Sequence, residues 1–339
     1  MHFTARAALA TVLGCLASQA ITRPPIIDMH LHARRLGPIE GAPRLCAPPL
    51  ASPRWDNRRP IANGLTTAGP ACANPLLPLT SGAEVQRQTL AILERRNMIA
   101  MASGEPEDIA RWRAAAPGRI FRGLDLRIVP KPASSRFQAR SPAEVRALWK
   151  GGEFDVLGEV MAQYEGVAPD DPRLKPYWAL AEELEIPVGI HLGLGAGSSY
   201  PGDALYRAAA SNALALEPVL LRHPRLRVYI MHAGYPLLDN LLALLLSHPQ
   251  VYVDVAALVG TEPRAGFYRY LKAISDAGFA DRVMFGTDQG VWPELIERSI
   301  AAIEQAPFLT PEQKRDILYN NAARFLRLDA ATIKRHHAL

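Results

Sequence analysis

The sequence predicts an α/β barrel of the TIM type, on three observations. Short apolar runs alternate with longer amphipathic stretches almost to the end of the chain. Most of the runs lack alternation between polar and apolar residues, the mark of strands buried on both faces. The first run closes on Asp28-Met29-His30-Leu31-His32 rather than on the glycine-rich turn that an open, doubly wound sheet places after its first strand. Strands that alternate with helices in this way close a parallel sheet into a barrel, regular or distorted. One barrel needs about 250 residues. The 339 residues therefore allow a single domain, 21–339, with room for long loops.

In chain order the strand candidates are Pro25–His30, Asn97–Ala102, Ile120–Leu126, Asp155–Val160, Pro187–Leu192, Arg227–His232, Val251–Val255 and Arg282–Thr287. Helical stretches sit between most of them. Ala83–Arg96 carries Val85, Leu90 and Leu93. Pro142–Trp149 opens after Ser141, with Glu144 at the capping-box position. Pro172–Leu184 leads into the fifth strand, and the leucine-rich Pro236–Ser247 is expected to pack on the barrel. Pro311–Leu326 opens on the capping box Thr310-Pro311-Glu312-Gln313. No internal repeat and no second domain boundary is visible.

Ala33–Gly82 is different: rich in Pro, Arg, Ala and Asn, with no strong period. A loop this long in a compact domain is usually functional or disordered. Because it follows the first strand, it is expected to hang over the C-terminal mouth of the barrel as a long insertion, a lid or substrate wall. It holds Cys46 and Cys72, which either pair across it or remain separate thiols.

The first 20 residues read as an export signal. MHFTAR is a short basic n-region, ALATVLGCLA is an apolar run too short to span a bilayer, and Ser18-Gln19-Ala20 supplies the small residues of a peptidase site. Val12-Leu13-Gly14-Cys15 is also a rough lipobox, so lipid anchoring at Cys15 ranks second to a periplasmic or secreted protein. Composition is ordinary, with 49% hydrophobic and 21% charged residues. The net charge of +5 is not gathered into a basic block, which argues against nucleic acid as a partner. A small-molecule substrate is expected, and a homo-oligomer stays open.

The chemistry lies in the strand ends. On a strand, residues two apart point the same way, so His30 and His32 project together as a bidentate clamp would. Imidazoles suit zinc and similar divalent metals, and Asp28 is placed to orient one of them. Histidine is scarce, nine in all, yet His191 and His232 also close predicted strands, and Asp288 follows the last one. In a barrel all five meet at the C-terminal mouth, where such enzymes place their chemistry. Glu159 ends the fourth strand and reads as a carboxylate that orients a ligand or touches substrate. Gly193–Ser199 lacks the Lys and spacing of a phosphate loop and reads as a flexible loop at the site. His336 and His337 are expected in a solvated tail.

With IIDMHLH, GIHLG, IMHAG, FGTDQ and the closing LYNNAARFL, spread from Ile26 to Leu326, the chain resembles the amidohydrolase superfamily, in particular its amidohydrolase-related branch, which also contains decarboxylases. The resemblance implies His30, His32, His191 and Asp288 as ligands of a divalent metal, zinc first, with one ion expected and two if Glu159 bridges. It implies His232 as a ligand of a second ion or as the group that polarises substrate. The expected activity is metal-assisted hydrolysis of a small ester, lactone or amide, with Asp288 as the acid/base and His232 beside it. The rivals are a non-oxidative decarboxylase, which an arginine clamp at the mouth would favour, and a non-catalytic binding protein on the same barrel. Sequence does not place Arg34, Arg35 or Arg127.

Overall fold

The computed structural model describes residues 23–48, 56, 58, 72–130, 138–193 and 207–339. The leader expected over residues 1–20, with Cys15, lies outside them, as does all of the stretch 193–199 except Gly193. Eight parallel strands follow one another around the sheet in sequence order: β1 (Ile26–His32), β2 (Met98–Ser103), β3 (Ile120–Leu126), β4 (Val156–Val160), β5 (Val188–His191), β6 (Val228–Met231), β7 (Val251–Asp254) and β8 (Val283–Met284). Backbone bonds carry the circle from the last strand back to the first: Met29 N donates to Phe285 O (2.9 Å) and Asp288 N to His30 O (2.7 Å). This is the TIM-type barrel that the alternation predicts.

Every strand falls on an expected run, and β1 extends two residues further, through His32. β8 is the shortest because Phe285 N donates to Ile317 O (2.9 Å) instead of continuing the ladder. Ile317 belongs to a π-helical turn, Asp316–Asn320, which divides the expected helix 311–326 into Pro311–Arg315 and Asn321–Phe325. The helices Gly82–Arg95, Pro142–Lys150, Lys175–Glu183 and Leu238–Ser247 occupy the other expected stretches. Both capping boxes form, at Ser141/Glu144 and at Thr310/Gln313. Leu241, Leu244 and Leu245 are buried on the leucine-rich helix, while Leu246 faces solvent.

Two layers of packing hold the barrel. One core cluster joins strands to the surrounding helices, with Trp112, Trp178, Phe267 and Ile300 fully buried. The other gathers Ile99 and Met101 of β2, Val156 of β4, Tyr229 and Met231 of β6 and Met284 of β8. β1 adds Ile27 and Met29 beside β2, and the side chains from β2, β4, β6 and β8, which are not neighbours in the sheet, meet across the interior, as alternate strands do in such barrels. Tyr319 and Phe325 join this cluster from the C-terminal segment.

That segment corrects one expectation. The tail is a helix, Ala330–Ala338, capped by Asp329, and His336 is buried rather than solvated, its Nδ1 3.0 Å from the Tyr319 hydroxyl. Ile333 and His336 are three apart and so share the helix face turned to the protein. His337 is exposed, as expected.

The insertion after β1 is organised where it is described. Its arms pair at Pro38 with Ser81 and at Leu45 with Leu76, and a disulfide joins Cys46 to Cys72. It docks beyond the C-terminal end of β8, where Leu79 N donates to Val291 O (3.0 Å) and Trp292 Nε1 to Pro43 O (3.2 Å).

Candidate metal centre

A parallel barrel brings every strand's C-terminal end to one face. His30 and His32 of β1, Ser103 of β2, Asp125 of β3, Glu159 of β4, His191 of β5, His232 just after β6, Asp254 of β7 and Asp288 after β8 all stand there. Seven of these nine residues are buried. His32 and Asp288 keep 17% and 29% of their side chains exposed, which makes them the face open to the mouth. His232 (φ 62°) and Asp288 (φ 53°) adopt the left-handed conformation, which is costly for non-glycine residues and concentrates at functional sites. A Cβ at Gly193 would stand 2.7 Å from His232 Cβ, so the backbone after β5 needs glycine to pass this ring.

Glu159 is the centre of the arrangement. Its Oε2 lies 3.6 Å from His30 Nε2 and 3.8 Å from His32 Nε2. Its Oε1 contacts His191 Nδ1 closely and lies 3.9 Å from His232 Nε2. His232 Nε2 and His191 Nδ1 are 3.1 Å apart. Asp288 Oδ1 reaches the cluster at 2.9 Å from His32 Nε2. Among the described residues, three groups have ligand atoms all within 4.8 Å of one another: His30/His32/Glu159, Glu159/His191/His232 and His30/His232/Asp254. None of the three contains Asp288, and none unites the expected quartet of His30, His32, His191 and Asp288.

The outward-facing ring nitrogens decide which atoms face the centre. His30 Nδ1–H donates to Asp254 Oδ2 (3.1 Å), and His232 Nδ1–H donates to the Ala256 carbonyl (3.1 Å). A carboxylate and a carbonyl only accept, so the neutral rings present an Nε2 lone pair inward. His32 Nδ1 lies 3.0 Å from Ser103 Oγ, a hydroxyl that can donate or accept, and its Nε2 faces Asp288 Oδ1 at 2.9 Å. Gln289 fixes the His32 backbone from both sides, accepting from His32 N and donating to His32 O at 2.9 Å each.

The electrostatics are those of a cage that wants positive charge. Burial pushes the Glu159 carboxyl up, but the close contact with His191 and the nearby rings of His232 and His30 outweigh it and hold it well below the usual range. Burial likewise opposes ionisation of Asp288, but His32, with His30 and His232, holds it at about 2. Burial disfavours charge on His30, yet Asp254 and Glu159 hold its pKa well above the ordinary value. His191 moves the other way, lowered by burial and by the neighbouring His232.

A divalent cation fits this donor set. Two ligands of one zinc ion, each about 2.0–2.2 Å from the metal, stand roughly 3.3–3.6 Å apart, close to the separations between Glu159 Oε2 and the His30 and His32 Nε2 atoms. His30 Nε2 is buried and has no hydrogen-bond partner among the described residues, although its ring is fixed by Asp254.

Asp28 does not orient an imidazole. It is fully buried, and its carboxylate accepts from His30 N (2.9 Å), Thr287 N (3.1 Å) and Thr287 Oγ1 (2.5 Å). Those bonds tie β1 to the segment after β8, and burial raises its pKa to about 7. The orienting carboxylate is Asp254, which also accepts from His232 N and Ala256 N at 2.9 Å each. Sequence reasoning missed Asp254, Asp125 and Ser103. The signal was available, since each is a polar residue at the C-terminal end of an apolar run.

Residues 27–328, which contain every residue of this site, match the amidohydrolase family. The chain belongs to that family. Among curated proteins, nothing matches this amidohydrolase. Among solved structures it is similar to an uncharacterised TIM-barrel protein from Bordetella bronchiseptica, with 18% identity, 92% of this chain and 100% of that chain covered, and a TM-score of 0.59. It is also similar to 5-carboxyvanillate decarboxylase from Sphingomonas paucimobilis, with 15% identity, coverage of 91% and 100%, and a TM-score of 0.52. A third is a probable 2-pyrone-4,6-dicarboxylic acid hydrolase from Acinetobacter baumannii, with 14% identity, coverage of 89% and 99%, and a TM-score of 0.56. At these identities the likeness is one of fold.

Proposed function

We propose that this amidohydrolase is a metal-dependent hydrolase of a small ester, lactone or amide, with divalent ions, zinc first, held on either side of Glu159. The observation that carries the reading is the Glu159 carboxylate, one oxygen turned to the His30/His32 pair and the other to the His191/His232 pair. His30, His32 and Glu159, with Asp288 at the mouth, would hold one ion; Glu159, His191 and His232 would hold the other. Bound there, a divalent cation lowers the pKa of water toward ~7 and supplies charge to stabilise a substrate oxygen. Asp288, ionised and partly exposed, accepts the proton of the attacking water and returns it to the leaving group. With a single ion, His232 would instead polarise the substrate carbonyl.

One observation favours the decarboxylase alternative. Arg34 is half-buried at the mouth, its Nε 3.4 Å from Gly290 O, and lines a cavity of about 420 Å³ with Arg35, Ile39 and Val291. A guanidinium there could hold a substrate carboxylate. Arg127, by contrast, faces Glu165 at 3.9 Å.

Elemental analysis followed by a screen of esters, lactones, amides and aromatic carboxylic acids tests the reading. We expect two ions per chain and acid release from an ester, lactone or amide. Release of CO2 alone would establish the decarboxylase reading, and a chain that binds substrates without turnover would establish the receptor. We further propose export, supported by the leader-like residues 1–20 and the Cys46–Cys72 disulfide. N-terminal sequencing of the native protein should begin near Ile21 or at a lipidated Cys15; cytosolic protein with Met1 intact would refute it.

A further inference from the structure

We propose that Gln289 is a positioning residue whose side-chain amide stands in for a missing strand neighbour of His32 and so sets the His32 ring against the Asp288 carboxylate. In the metal-centre reading above, on which this rests, both of those groups serve one ion. Gln289 follows Asp288 directly, is fully buried and makes two hydrogen bonds to the backbone of a single residue. His32 N donates to Gln289 Oε1, and Gln289 Nε2 donates to His32 O, at 2.9 Å each. A backbone N–H only donates and a carbonyl only accepts, so one orientation of the amide satisfies both.

The closing seam of the barrel creates the need for this device. Among the described residues, paired strands run from β1 to β8 and no ladder joins β8 to β1. Single backbone bonds span the seam as far as His30 O, which accepts from Asp288 N (2.7 Å). Two residues further along β1, His32 N and O face the same seam. There the partner main chain has left the strand path: Asp288 and Gly290 both have φ 53°, and Trp292 N donates to Gln289 O (2.7 Å). A primary amide carries the same C=O and N–H groups as a peptide unit, so the Gln289 side chain completes the pairing that its main chain does not. Asp288 is thereby held on both sides, by its own N on His30 and by the next side chain on His32. Between those attachments its Oδ1 stands 2.9 Å from His32 Nε2. An ionised carboxylate only accepts, so in the ion-free site Nε2 carries the hydrogen. His32 and Asp288 are the partly exposed members of the cage, so packing restrains them less than it restrains His30 or Glu159, and their backbones must fix them.

Two substitutions test the role. Gln289→Met keeps the length of the side chain and removes both bonds. Gln289→Asn keeps the amide but is shorter by about 1.5 Å, too short to serve both His32 groups, and it keeps the test open if the apolar variant does not fold. In metal-free wild-type protein labelled with 15N-histidine, His32 should show a protonated Nε2 bonded to Asp288. In either Gln289 variant, with circular dichroism confirming the fold, the His32 ring signals should move toward those of Asp288→Ala, which lacks the acceptor. Gln163→Met is the comparison. Buried Gln163 clamps Gly193 in the same manner, donating to Gly193 O (2.9 Å) and accepting from Gly193 N (3.2 Å). Its loss removes an equivalent pair of bonds at the mouth and should leave the His32 signals in place. Zinc affinity, measured by chelator competition, should fall about 10–100-fold in the Gln289 variants. His32 signals unchanged in the folded Gln289 variants, an equal shift in Gln163→Met, or wild-type zinc affinity without Gln289 would each overturn the inference. A wild-type chain that binds no zinc would instead sink the metal centre, and the nitrogen spectra would still decide whether Gln289 positions His32.

Discussion

Two buried histidines at opposite ends of the barrel meet opposite surroundings. At the mouth, His30 is fully buried, yet Asp254 at 3.1 Å and Glu159 at 3.6 Å hold its pKa well above the ordinary value. At the base, His336 is buried against neutral Tyr319, and burial with the charges of Arg335, His337 and Arg119 lowers it to about 4. Burial alone acts on both in the same direction, against charge. The carboxylates at the strand ends reverse it at the mouth, and the cations at the base reinforce it. The mouth is therefore built to take up a cation and the base to exclude one, which matches the division in such barrels between function at the C-terminal face and stability at the other.

The largest test of this division is at the mouth. His30→Ala or His191→Ala should abolish turnover and lower the metal content measured by elemental analysis, because each removes a ligand that no neighbour replaces. Asp288→Asn should separate the two effects, keeping most of the metal while turnover falls about 10²–10⁴-fold. Near-normal turnover in that variant would remove Asp288 from proton transfer. Glu159→Gln should lower the ion count from two to one, whereas an unchanged count would dissolve the shared-carboxylate reading.

Smaller effects are expected away from the mouth. Replacing Cys46 and Cys72 by Ser should lower unfolding free energy by about 2–4 kcal/mol, as expected for loss of a cross-link, with less effect on turnover than any variant above. Denaturant titration and steady-state kinetics on one preparation would check both halves of that statement. The smallest effect belongs to the base. His336 has a pKa near 6.5 when unfolded and about 4 when folded, so between those values the unfolded chain binds more protons. Its contribution is complete above the unfolded value and is lost as pH falls through 4, by about 1–3 kcal/mol. His336→Gln should flatten that part of the stability profile, and an unchanged profile would remove His336 as its source. Metal affinity at the mouth should also fall with acid, since protons compete for His30 and the other imidazoles.

How much was legible differs between backbone and side chains. The eight strands could be read because a strand buried on both faces must be apolar almost throughout, as Met98–Ser103 and Val228–Met231 are. The predicted site residues stood out because a polar side chain ending such a run is costly to bury without a purpose. Asp254 and Asp125 ended runs in the same way but carried no motif, and Asp28 was credited with the task that Asp254 performs. Sequence proximity suggested Asp28 for His30, whereas the chain brings Asp254 to that ring from 224 residues away.

By itself, then, the sequence determined the barrel, through the alternation of apolar runs with amphipathic helices, and the set of polar residues delivered to its mouth. Only the tertiary structure decided their pairing: Glu159 between two histidine pairs, Asp254 on His30, Ser103 on His32, Asp28 on the closing segment and His336 under the base. The physical reason is one of range. Burial periodicity is a local property that each strand carries alone, whereas hydrogen-bond direction and charge depend on which strands the closed circle places side by side.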